Sequence, residues 1–213
     1  MGTKIFDFKD FSCVEIRNAM ELVATKGDTY SVSLNANDDI VESVKVSVEN
    51  GCLLARFEAR WGHLGFLFKP SPTMPKLSVV MPELKQLDIF AASRAKINGF
   101  ESGRVEMSVR GASRVTGDLK CQKLKIEASA ASKVELSGSA DEADIESSGA
   151  SNIDFSQFMV QDAEVEASAA SQVVINVNGK LDAKVSGASH VQWLGNPTLG
   201  DIRATGASSF NKK

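Results

Sequence analysis

Six carboxylates, Glu127, Asp144, Glu146, Glu164, Glu166 and Asp182, recur at offsets that keep them in two parallel series. One series runs Asp88, Ser108, Glu127, Glu146, Glu166, Lys184, Arg203, and the other Gln86, Glu106, Lys125, Asp144, Glu164, Asp182, Asp201, with steps of 18 to 20 residues throughout. If each step is one turn of a stacked structure, the carboxylates crowd one face at a spacing of about 5 Å, where they repel unless screened, paired or bridged by a cation. Three chemistries fit such a face: a solvated acidic surface that keeps a sheet soluble, a Ca²⁺ or similar cation site of oxygen ligands, or an acid–base cluster like that of pectin-cleaving β-helices. Glycosidase carboxyls need pKa values pushed apart by environment, and a uniform open series offers no obvious means. The solvated face is the reading taken, with no catalytic residue and no metal or cofactor assigned; Ca²⁺ is the one cofactor candidate.

A third series is cationic where it begins: Arg94, Arg114 and Lys133, followed by Asn152, Gln172, His190 and Ser209. Three stacked cations could hold an acidic glycan or a phosphate, since guanidinium forks match such groups bidentately. The plainer reading is an outward, solvated run. His190 stands alone on its series and is not read as a ligand. Trp193 takes an inward position beside Phe155 and Ile175 and reads as core.

Other chemistries find little to build on. The chain has 213 residues, three cysteines and two histidines, with a formal net charge of −3. There is no basic run for a phosphate backbone, so a nucleic-acid role is set aside. Cys13, Cys52 and Cys121 are odd in number and lack a CxxC spacing, so they read as small buried apolar residues rather than a disulfide framework or a thiolate metal site. Neither a GxSxG elbow nor a phosphate-binding glycine motif is present. No window is long and apolar enough to span a bilayer, and the start, MGTKIFDFKD, is not an export signal.

What positions the three series is a repeat. Aligned on its serine, the phrase [AG]AS, any residue, then an apolar one occurs at Ser93, Ser113, Ser132, Ser151, Ser171, Ser189 and Ser208, with steps of 20, 19, 19, 20, 18 and 19 residues. Upstream of each phrase, apolar and polar residues alternate, as in Val105, Met107 and Val109 or Leu124, Ile126 and Ala128. That alternation marks strands with one buried face. About 19 residues already filled by strands leave no room for a helix, and so short a unit buries its apolar face only by stacking on copies of itself. The expected fold is all-β: a single-stranded parallel β-helix, or β-solenoid, right-handed by the usual preference of parallel crossovers. Carrying the alternation through the phrase places Gly111, Ser113 and Val115 inside, and likewise Ala130, Ser132 and Val134. The small first residue is then explained by scarce space at a corner, and the serines form an inward hydroxyl ladder bonding one another or the corner backbone.

Residues 1–76 lack the phrase but carry strand-like segments broken by turn signals at Lys26-Gly27-Asp28, 35–39 and Asn50-Gly51. They are expected to form irregular first coils or a strand cap, with an apolar, proline-rich loop at 61–76 tucked over the core end. Residues 77–213 carry the regular coils, the whole being one continuous domain. Only Asn211, Lys212 and Lys213 follow the last phrase, so that end is expected to associate with a second copy.

LSVVMPELKQLDIFAASRAKI with the GAS phrases that follow resembles the head GIN domain family of autotransporter adhesins, common in Bacteroides-type bacteria. TKGDTYSVSL and VENGCLLARFE are similar to that family's earlier segments. The resemblance covers nearly the whole chain and implies a parallel β-helix exported to the cell envelope or beyond. It implies a non-enzymatic adhesin that binds a glycan or a surface protein through a solenoid face. The departure is the missing signal sequence. The alternatives carried forward are a pectinase-like polysaccharide lyase or hydrolase, and a lipid or small-ligand binder using the aromatic loop at 61–68.

Overall fold

Val, Ile and Leu at every second position give strands whose apolar sides meet in one continuous interior, from Phe11 and Val14 at one end to Val185 and Val191 at the other. The computed structural model describes residues 2–58 and 74–213. The strands are β1 Gly2–Phe6, β2 Cys13–Arg17, β3 Glu21–Lys26, β4 Ser31–Ala36, β5 Val44–Glu49, β6 Cys52–Phe57, β7 Lys76–Met81 and β8 Gln86–Ile89. Four long strands follow, β9 Arg94–Arg110, β10 Arg114–Ser129, β11 Lys133–Ser147 and β12 Asn152–Ala167. The series closes with β13 Gln172–Val177, β14 Lys180–Val185, β15 His190–Gly195, β16 Thr198–Ala204 and β17 Ser209–Lys212.

The protein is a parallel β-solenoid of about seven turns, with about 19 residues to the turn. Each long strand serves two faces. The start of β9 pairs with β3, from Arg94 to Asn98, whereas its end pairs with β8, from Glu106 to Val109. Between the two the long strands bend with register shifts, as between Gly117 and Leu119, and at the repeated phrase the chain turns a corner in every coil from Ser93 onward. One face therefore holds the residues before each corner, the other those after it. Bulky side chains fill the interior at this bend, where the register shifts between Phe155 and Met159 and Phe155 and Phe158 lie fully buried with ring centroids 4.8 Å apart. Burying a side chain of this size contributes about 2 to 3 kcal/mol. Glycine is required where coils come closest: a Cβ on Gly117, whose φ is +141°, would lie 1.9 Å from the Ile97 carbonyl oxygen.

The N-terminal region supplies both a coil and a cap. Strands β2 and β3 form a coil whose corner is Asn18 and Ala19, and it lies between two others: β2 pairs with β6 and β8, and β3 with β7 and β9. The chain lays this inner coil first and adds its outer neighbour, β6 and β7, later. Antiparallel pairs close this end, β5 on β6, β4 on β7 and β1 on β4. Such pairing covers backbone groups that an open parallel edge would expose.

Three sequence expectations are corrected. Cys13 and Cys52 are register partners on β2 and β6 and form a disulfide, and both are half-buried rather than buried. Cys121 is also half-buried, and desolvation pushes its thiol up to about 12. Ser113, Val115, Ser132 and Val134 are buried as the alternation places them, but Gly111 is only half-buried and Ala130 is exposed. Gly111 and Ala112 have φ of +70° and +60°, Ala130 and Ala131 +56° and +65°, and Ala112, Ala130 and Ala131 are exposed. A left-handed backbone, costing an alanine about 1 to 2 kcal/mol, swings these residues outward. They are small because adjacent corners nest: a Cβ on Gly149 would lie 2.9 Å from the Ala130 nitrogen, and one on Gly187 2.7 Å from the Ala169 oxygen. Trp193 is in register with Ile175 but half-buried, its ring stacked on Phe210 at 4.4 Å.

Candidate functional site

The corner turns on its serine. Ser93, Ser113, Ser132, Ser151, Ser171 and Ser189 are at most 1% exposed, and Ser208, in the last coil, is half-buried. Five of these hydroxyls donate to the carbonyl three residues back: Ser113 to Arg110, Ser132 to Ser129 and Ser151 to Ser148 at 2.7 Å, Ser171 to Ser168 at 3.0 Å, and Ser208 to Thr205 at 2.7 Å. Between serines of the column there is one rung among the described residues, from Ser171 to Ser189 at 3.3 Å. The serine column is thus mainly a set of local corner braces, which satisfy their own buried hydroxyls.

The carboxylate series align as register partners. Glu127, Glu146 and Glu166 stack in one column, and Asp144, Glu164 and Asp182 in the next. They are interleaved with cations rather than bare. Lys184 reaches Glu166 at 2.6 Å and Glu164 at 3.2 Å, Lys125 reaches Glu127 at 3.4 Å and Glu146 at 3.6 Å, and Arg110 reaches Glu127 at 2.8 Å. Lys180, at 2.6 Å, and the Asp201 amide, at 2.7 Å, hold the Asp182 carboxyl below its ordinary range. The hydrogen bonds to Glu166 and Glu164 raise the Lys184 ammonium correspondingly. Asp144 has no ion pair among the described residues, where no three His, Cys, Asp or Glu side chains gather as metal ligands. Over this face lies an open depression of about 410 Å³, lined by both signs of charge, Lys123, Lys125 and Lys180 against Asp144, Asp162 and Glu164. Asp88, at the N-terminal end of the first column, is displaced the other way: desolvation raises its pKa, with the nearby Glu15 carboxylate adding to the effect.

Arg94, Arg114 and Lys133 also stack in register, on the first outward position after the corner. Glu135 holds Lys133 at 2.7 Å, whereas Arg94 and Arg114 are exposed and have no ion pair among the described residues. The structure adds a column that the sequence reading missed, on the last outward position before the same corner. It runs Arg56, Arg17, Phe90, Arg110 and then Ser129. The Arg17 guanidinium lies 4.8 Å and that of Arg110 5.9 Å from the Phe90 ring centroid. Each such contact contributes about 0.5 to 1 kcal/mol at an exposed site and holds a flexible cation in place. The signal was available in the repeat alignment, one residue before the phrase. Two columns that carry arginines therefore flank a corner of Asn18, Ala19, Ala91, Ala92, Gly111 and Ala112, exposed except for the half-buried Ala19 and Gly111; Arg17, Arg56 and Arg110 hold Glu15, Glu58 and Glu127. In later coils both columns become neutral, Ser148, Ser168, Ser186 and Thr205 on one side, Asn152, Gln172 and His190 on the other. The His190 ring bonds the Ser209 hydroxyl at 2.7 Å.

A single-stranded stack of short coils, capped by antiparallel strands and with its surface series in register, defines a parallel β-helix that presents columns of side chains. The chain belongs to the family described as "Putative auto-transporter adhesin, head GIN domain", whose model matches residues 10–197. Among solved structures it is similar to a putative adhesin from Bacteroides fragilis, at 19% identity and a TM-score of 0.86, over 99% of this chain and 96% of that one. A putative adhesin from Parabacteroides merdae is similar at 15% identity and 0.70, over 100% and 95%. A putative lipid binding protein from Parabacteroides distasonis is similar at 18% identity and 0.68, over 100% and 96%. No curated protein matches. The family's description is that of an adhesin, which suggests a protein at a surface or secreted, and the solved neighbours share its fold. No helix of the described residues is long and apolar enough to cross a membrane.

Proposed function

We propose that this is a non-enzymatic adhesin of the cell envelope or of the secreted fraction, which binds a glycan or a surface protein through the cationic corner of its N-terminal coils. The observation that carries the reading is Arg94 in register with Arg114, both exposed and with no ion pair among the described residues, beside the Arg17, Phe90 and Arg110 column; Glu21, in register with Arg94 on its other side, is held by Lys76 at 3.7 Å. On the acidic face Glu127, Glu146, Glu164, Glu166 and Asp182 already have cationic partners, so a ligand there must displace ion pairs; at Arg94 and Arg114 it does not. A pectinase-like activity would need a cleft with two carboxyls set apart in pKa, and the depression over this face is open and lined by lysines. The lipid or small-ligand alternative relied on residues 61–68, which lie outside the described residues.

The test is a glycan array together with pull-downs from cell surfaces, using wild type and an Arg94→Gln/Arg114→Gln variant. Retention by wild type and its loss in the variant is the expected result. Retention of neither partner class by wild type overturns the reading.

A further inference from the structure

The corner ladder changes direction once. In the early coils the peptide linking the two corner residues points its N–H forward: Ala19 donates to the Ala91 carbonyl, Ala92 to Gly111 and Ala112 to Ala130, at 2.8 to 2.9 Å. In the later coils it points backward: Ala170 donates to the Gly149 carbonyl, Ala188 to Ala169 and Ala207 to Gly187, at 2.6 to 2.8 Å. The dihedral angles record the same flip. The second corner residue has positive φ at Ala19, Ala92, Ala112 and Ala131, whereas Ala150, Ala170, Ala188 and Ala207 are not among the positive-φ residues.

The two ladders meet between Ala131 and Ala150. The Ala130 carbonyl is turned back toward Ala112 and the Gly149 carbonyl forward toward Ala170, so the Ala131 and Ala150 N–H groups face each other with no acceptor between them. Both residues are exposed, and neither amide has a hydrogen-bond partner among the described residues. At a coil spacing of about 4.8 Å, one oxygen just outside the line joining the two nitrogens can sit about 3 Å from both. The surroundings favour negative charge. Lys133, last of the cationic column, follows this corner, with Asn152 as its register partner, and Ser129 and Ser148 precede it. Two carboxylates in register stand further along that face, each four residues past its corner: Glu135, held by Lys133 at 2.7 Å, and Asp154, which accepts from the Ser156 amide at 2.9 Å.

We infer that the facing amides of Ala131 and Ala150, with Lys133 beside them, form an oxyanion site that takes a carboxylate or sulfate group, either of a free anion or of an acidic sugar lying along the cationic corner. Paired backbone donors bind anions this way in other concave backbone settings. The acidic-sugar arm rests on the surface-contact reading above; the site itself rests on the backbone alone.

The experiment is amide NMR of the full chain titrated with sodium sulfate, sodium acetate, oligogalacturonate and an uncharged maltooligosaccharide. The Ala131 and Ala150 resonances are expected to move together along one saturable curve, whereas those of Ala112 and Ala170, already bonded within the ladder, stay. Lys133→Gln should weaken binding by about tenfold, the usual worth of a charge-assisted hydrogen bond. Ala150→Pro removes one donor that has no partner to lose, and should abolish the shift at Ala131; if that variant misfolds, Lys133→Gln still decides. Equal action by sulfate and oligogalacturonate supports a free-anion site. Tighter binding of oligogalacturonate, lost with Arg94→Gln/Arg114→Gln, supports the acidic sugar. Anion-dependent shifts in a protein that adheres to no surface would leave the site standing while the adhesin reading falls. Stationary Ala131 and Ala150 resonances with every anion, or the same shifts with maltooligosaccharide, overturn the inference.

Discussion

Ala131 and Ala150 occupy the same position in neighbouring corners, yet one N–H points up the stack and the other down it. Gly111-Ala112 and Gly149-Ala150 carry the same dipeptide on opposite sides of this flip, the first with positive φ at both residues and the second at Gly149 alone. A φ-permissive pair of small residues accepts either peptide orientation, and what the orientation decides is where two backbone donors are left over.

Relieving the left-handed alanines should cost nothing. Ala112→Gly and Ala131→Gly remove a steric penalty of about 1 kcal/mol, offset in part by the greater freedom of glycine in the unfolded chain. Equal or slightly raised stability in urea unfolding is expected. Ala131→Val should lose about 2 kcal/mol or more, because a branched side chain is poorly tolerated at positive φ.

Gly117→Ala should be far more damaging than any corner change. The added methyl would overlap the Ile97 carbonyl, backbone that has no rotamer by which to yield. A loss of about 3 kcal/mol or more is expected, read as a lower midpoint in guanidinium or as failure to fold.

The Cys13–Cys52 disulfide ties the inner coil to its outer neighbour. Cys52→Ser should cost about 2 to 4 kcal/mol, as for closure of a loop of this length. Hydrogen exchange should place the loss in β2, β3, β6 and β7, with β10 to β12 still protected.

Acid should act on Asp88 and Asp182 in opposite senses. Burial raises the folded pKa of Asp88, so its ionised form opposes folding above the unfolded value of 3.8, and the penalty disappears as pH falls below that value. Asp88→Asn should therefore stabilise at neutral pH, with the gain shrinking in acid. Asp182 is lowered, so its contribution is present above 3.8 and lost as pH falls through its folded value. Asp182→Asn should destabilise at neutral pH, and the difference should close in acid. Thermal melts across pH, on both variants, check the two signs.

How much of this was legible in the residues varies with the physics involved. The serine phrase and the alternation before it specify coils, because burial on one face of a strand imposes a period of two and stacking imposes equal steps. The surface series follow, since register is the same information: Glu127, Glu146 and Glu166 fall in line because their spacings match those of Ser132, Ser151 and Ser171. The inner coil of residues 13–26 was obscured because Met20 stands where later coils have serine and Asn18 where they have glycine or alanine. The disulfide was missed because its partners lie 39 residues apart on strands that become neighbours only through out-of-order threading. The corner was misread because alternation assumes extended backbone, and two left-handed residues break it. Of the candidate site, Arg94, Arg114 and Lys133 could be named from spacing alone. That Arg94 and Arg114 have no ion pair among the described residues, while every member of the six-carboxylate set except Asp144 has a cationic partner, depends on side-chain reach across coils.

On the proposed function, contact with a surface runs through the cationic corner. Adhesion of beads coated with wild type, with Arg94→Gln/Arg114→Gln, or with Glu164→Gln/Glu166→Gln, to glycan-bearing and protein-bearing cell surfaces measures it most directly. Adhesion should be lost with the arginine variant, at unchanged stability, and retained with the glutamate variant. Undiminished adhesion of the arginine variant, or loss confined to the glutamate variant, would contradict it.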